Sequence, residues 1–153
     1  MDLRGKHSGQ LWPRLSLGAA AALALALSSA APAAASGGAN VTGGGTTSGM
    51  TRFALAIHNG KGHFECLMPG LMTVEATVAS ATAGGGTASF AGVARVTLAK
   101  GNPFGLPAGI LATNAAFSGS VVAGGPGTGS EDLKVLGMDF PGTIEHGQIR
   151  IQP

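Results

Sequence analysis

The chain has 153 residues, nine Lys or Arg against seven Asp or Glu, and a single cysteine. That near-balance excludes the strongly basic surface with which nucleic-acid binders neutralise phosphates. One cysteine excludes an internal disulfide.

The N-terminus sets the expected compartment. Arg4, Lys6 and Arg14 flank an apolar, uncharged run, Leu15 to Leu27, followed by the small residues SSAAPAAAS. This order is that of a secretory signal peptide, with cleavage expected after Ala35 (Ala33 is the nearest alternative). The run is shorter than the ~20 apolar residues of a spanning helix, so no membrane insertion is expected after cleavage. No cysteine lies directly after the run to carry a lipid, and no Arg-Arg pair precedes it. Six basic and six acidic residues then remain after residue 35, so the positive excess belongs to the export signal. The expected location is secreted, periplasmic or at the cell surface.

Residues 36–50 (SGGANVTGGGTTSGM) carry almost no bulk. Such a stretch buries too little apolar surface to offset its ordering entropy, which predicts a flexible leader. Residues 51–153 then form one domain, an ordinary size for a chain with its own core.

From Thr51 onward, apolar and small residues alternate between glycine clusters. The predicted strands are 51–58, 63–68, 71–82, 87–99, 110–123, 131–138 and 147–151. No stretch sustains a 3.6-residue apolar repeat. Closely spaced strands with glycine turns predict an all-β antiparallel meander of about seven strands, closed as a small sandwich or barrel.

Register arguments sharpen this. Around HNGKGH (His58 to His63), a four-residue loop pairs His58 with His63 and Leu55 with Cys66; an Asn59-Gly60 turn shifts the pairing by two. Both put Phe53, Leu55, Ile57, Phe64, Cys66 and Met68 on one face, and His58, His63 and Glu65 on the other. Around Gly84 to Gly86, a three-residue loop pairs Met72 with Leu98, Val74 with Val96, Val78 with Gly92 and Glu75 with Arg95. Further on, Val121 is expected opposite Leu133, and Phe117 opposite Gly137.

Few residues point to chemistry. His58, His63 and Glu65 share a face and are candidate metal ligands, with His146 a further one if the last strand folds back beside them. Zinc needs three protein ligands plus water, or four. The competing reading is a solvated hairpin tip, favoured by Lys61 and the loose loop glycines. Cys66 is expected in the core, where cysteine behaves as a small hydrophobe. No G-x-S-x-G elbow and no phosphate loop occur. Glu131 and Asp132 are the only adjacent carboxylates, and neighbouring strand residues point to opposite faces. After Trp12 leaves with the signal, phenylalanine is the only aromatic, which argues against carbohydrate recognition. No cofactor or catalytic residue is expected.

GHFECLM (Gly62 to Met68), the threonine-rich hairpin after it, and GQIRI (Gly147 to Ile151) resemble small secreted bacterial all-β domains of uncharacterised function. The similarity spans most of residues 50–152 and implies an exported all-β module, with no site residue to carry over. The expected function is therefore an exported, non-catalytic β domain with a structural or binding role. The alternatives are a carrier of a small apolar ligand in a barrel cavity, and a metal binder or metal-dependent enzyme using His58, His63 and Glu65 or His146.

Overall fold

Alternating sequence becomes alternating burial. The computed structural model describes residues 38–48 and 51–152. Its strands are β1 (Asn40–Thr47), β2 (Thr51–His58), β3 (Lys61–Met68), β4 (Met72–Gly84), β5 (Thr87–Leu98), β6 (Gly109–Val122), β7 (Ser130–Val135) and β8 (Met138–Gln152). Each pairs antiparallel with the next, and β8 returns to β1, so the meander is a closed barrel. Of the two closures compatible with the sequence, the barrel is the one formed. The predicted signal peptide lies outside the described residues.

The first correction concerns the leader. Residues 40–47 are not a flexible segment; they are the strand that closes the barrel, paired with β2 on one side and β8 on the other. Composition misleads here because the glycines are what let three backbones approach. A side chain on Gly45 would run into the carbonyl of His146, and one on Gly147 into that of Gly44. Val41 and Thr47 still bury their side chains at either end. The last strand is likewise longer than the predicted 147–151, because it spans two partners: 138–143 lie on β7 and 144–152 on β1.

The β2–β3 hairpin takes the two-residue option. Asn59 and Gly60 both have positive φ (50° and 76°), the geometry a tight turn between right-twisted strands requires. Leu55 therefore faces Phe64, and Cys66 faces Phe53. The face assignment is unchanged: Phe53, Leu55, Ile57, Phe64, Cys66 and Met68 are all buried.

In β4–β5 every anticipated pair is present, including Glu75 with Arg95 on the exposed face. The turn itself is shorter, with Gly84 already paired to Thr87. A bulge at Ala79 supplies the missing residue, shifting the register between Val78 and Ser80. In β6–β7 the register differs by two: Phe117 faces Val135 and Gly119 faces Leu133. The cause is the loop, which does not swing free. Gly124 exchanges two backbone hydrogen bonds with Ile149 (3.0 and 2.9 Å), and Gly127 and Gly129 bond to Ile144. The loop runs along β8 where β7 has ended and seals that seam.

Eight strands make a barrel just wide enough for side chains to fill. Here Phe64 is fully buried at the centre, with ring centroids 5.7 Å from Phe90 and 6.2 Å from Phe117. Gly119 faces Phe90 across the ladder, and its missing side chain is the space the Phe90 ring occupies. Met72, Leu133, Ile144, Ile149 and a set of valines complete the packing.

Candidate functional site

The outer face of β4–β7 collects hydroxyls. Two cross-strand rows run side by side. One is Thr82, Ser89, Ser120 and Asp132; the other is Ser80, Ala91, Ser118 and Lys134, continued by Asp139 on β8. Successive members sit one strand spacing apart, about 4.8 Å. They line a shallow groove of about 420 Å³. The rows exist because Ala88, Phe90, Phe117, Val121 and Leu133 claim the inner face, leaving the alternate positions to solvent.

Charge enters the groove at one edge. Lys134 Nζ lies 3.1 Å from Asp139 Oδ1 and 3.6 Å from Asp132 Oδ2. The hydrogen bond to Asp139, aided by the Asp132 charge, raises the Lys134 pKa above its ordinary value. The amine is thus held protonated and is no nucleophile. Asp132 Oδ1 is buried without a hydrogen-bond partner among the described residues.

Beneath this edge lies Glu131, whose side chain points the other way. It is only 3% exposed, between Val121 of β6 and Gly142 of β8, and its Oε1 has no partner among the described residues. The space over Gly142 is taken by the side chain of Thr47, which is also buried. Burial first, and the neighbouring Asp132 charge second, push the Glu131 pKa up from 4.5 to about 7. Adjacency did show that these carboxylates face opposite ways; it gave no sign that Glu131 would be the inner one. The β6–β7 pairing decides that.

The candidate metal ligands do not assemble. His58 pairs with Lys61, His63 with Ala56 and Thr77, and Glu65 with Ala54 and Glu75, so Glu65 faces another carboxylate. All three are exposed, but the two-residue turn leaves the histidines diagonal to one another. His146 lies across β1 from Arg52, the far end of β2 from His58. Six residues of strand separate those ends, about 20 Å. Among the described residues no three His, Cys, Asp or Glu side chains gather as a metal-binding set.

The groove has the chemistry of recognition. None of the residues lining it is a histidine, so no imidazole stands ready to take a proton from its serines. It offers donors and acceptors in a regular lattice, with Lys134 paired to Asp132 and Asp139 at one edge. Neither family models, curated proteins nor solved structures yield a match to this chain.

Proposed function

We propose that the protein is an exported, non-catalytic β-barrel module that binds a macromolecular partner through the hydroxyl-lined outer groove of β4–β7. The observation that carries this reading is the filled interior. Phe64, Phe90 and Phe117 occupy the centre of the barrel, so recognition falls to the outside. The small-molecule carrier finds less support for the same reason. The groove holds neither Trp nor Tyr, and its one ring, Phe90, is buried. That favours a polypeptide partner over a sugar.

The distribution of polarity supports a module in water. Most large apolar side chains point inward, and most Ser, Thr, Lys and Glu point outward, the reverse of an outer-membrane barrel with its lipid-facing apolar band. Export rests on the N-terminal segment, and protein recovered from the medium or periplasm is expected to begin near Ser36.

The test is titration with an apolar probe, palmitate, followed by native mass spectrometry. The expected result is no saturable one-to-one complex. Stoichiometric uptake of palmitate would overturn the reading and favour the carrier.

A further inference from the structure

The barrel is closed, yet part of one strand has an open edge. β6 pairs with β5 along its whole length, but β7 covers only Phe117 to Val122. Residues 109–116 therefore present their second edge to no strand of the described residues. No loop backbone among those residues bonds to them either. The contrast with the β7–β8 seam is informative, because there the chain folds its own loop, Gly124 to Gly129, over the gap. Other strand segments lack a second neighbour, among them the last three residues of β8. Residues 80–84 are short, and 138–142 contain Pro141, which cannot donate to a ladder.

The β6 edge lacks such protection. Residues 101–130 contain no Asp, Glu, Lys, Arg or His. Ile110 is 54% exposed and Leu111 45% exposed. The preceding loop adds exposed Phe104 and Leu106 in fixed positions. Buried Asn102 holds that loop: its Nδ2 donates to the carbonyls of Ala99 (2.9 Å) and Leu106 (2.8 Å), and its Oδ1 accepts from the Phe104 amide. Two bulges between β5 and β6, at Ala94/Val96 and Val96/Thr97, twist this half of the strand and limit the length of any regular ladder.

An open edge of backbone N–H and C=O groups is complemented by another strand. We infer that residues 109–116 of β6 pair antiparallel with the same residues of a second copy, forming a two-fold dimer through a continuous sheet. The choice of a second copy rests on self-complementarity. The edge carries no charge, so two copies meet without repulsion. Antiparallel pairing about Thr113 puts Ile110 of one copy opposite Ala116 of the other. Ala116 sits at the rim of a hollow of about 440 Å³ that is also lined by Val135 and Leu136. Ile110 thus meets Ala116, Val135 and Leu136, the apolar part of a hollow that also holds Ser118, Lys134 and Asp139, and the contact is repeated by the two-fold axis. The hollow adjoins the hydroxyl groove and shares Ser118 and Lys134 with it.

Sedimentation velocity of the purified protein over a concentration series tests the inference. The weight-average mass should rise from one chain toward two. An Ile110→Lys/Leu111→Lys variant changes only exposed positions, and it should weaken association at least about tenfold, because the charge at position 110 would then lose its hydration against Ala116, Val135 and Leu136 of the second copy. Val122→Lys, an exposed apolar position outside the edge, should dimerise as the parent does. Amide exchange of residues 109–116 should slow as protein concentration rises. A monomer at every concentration, or association that survives the double substitution, would overturn the proposal.

Discussion

At the scale of single residues, two positions run against the ordinary preferences of their surroundings. Leu136 has φ of 53° in the two-residue turn between β7 and β8, and it is 40% exposed. Left-handed backbone costs a residue with a branched side chain about 1 kcal/mol, and asparagine tolerates it better. Leu136→Asn should stabilise the fold by about 1 kcal/mol, read from a denaturant midpoint at unchanged slope. Glu131 is the second position. Its folded pKa, about 7, stands above the 4.5 of an ordinary glutamate. The folded state therefore keeps a proton that the unfolded chain releases. The stabilisation is complete below pH 4.5 and is lost as pH rises through about 7, a change of roughly 3 kcal/mol at most. Thermal unfolding followed between about pH 5 and pH 8 should show this loss, and Glu131→Gln, which cannot titrate, should remove it. A wild-type stability that is flat over this window would mean Glu131 is ionised and solvated.

At the scale of elements, β1 is the strand on which closure depends. It joins β2 to β8 and carries two buried residues, Val41 and Thr47. Gly45→Val places a branched side chain against the backbone of β8 at His146 and Gly147. The expected cost is several kcal/mol, because strand separation would be the only relief and it would open the barrel. A far-ultraviolet melt of this variant should shift down strongly, while Gly84→Ala, at the end of β4 with open space around it and no left-handed backbone, should shift little. The Ala79 bulge has a different role. It moves the β4–β5 register by one residue, so the glycine turn can be tight while Glu75 still meets Arg95.

At the scale of the whole molecule, one core serves all eight strands. Every strand contributes at least one buried residue, and the three phenylalanines come from β3, β5 and β6. A closed ladder offers no strand that can leave alone, which favours all-or-none unfolding. Cys66, buried inside on β3, reports on this. A thiol reagent should label it only as fast as the barrel unfolds globally, with labelling and circular dichroism giving the same midpoint in denaturant. Rapid labelling of the native protein would mean that β2–β3 opens on its own.

Period-two alternation is local, so the chain by itself determines which residues face inward on β2 to β5 and where the hairpins turn. The buried position of Cys66, the exposure of His58, His63 and Glu65, and the Glu75–Arg95 pair all follow from it. Composition failed at Asn40 to Thr47, because its glycines answer to backbones more than one hundred residues away in β8. Shifts of register by two, as at β2–β3 and β6–β7, preserve facing and so leave no mark in the alternation. The rest is set by closure. It turned Glu131 into the core beside Thr47, gathered the serines of three strands into one groove, and ended β7 short of the first half of β6. Each of these depends on which strands become neighbours around the barrel and how far they stagger, a property of the assembled sheet and of no single strand.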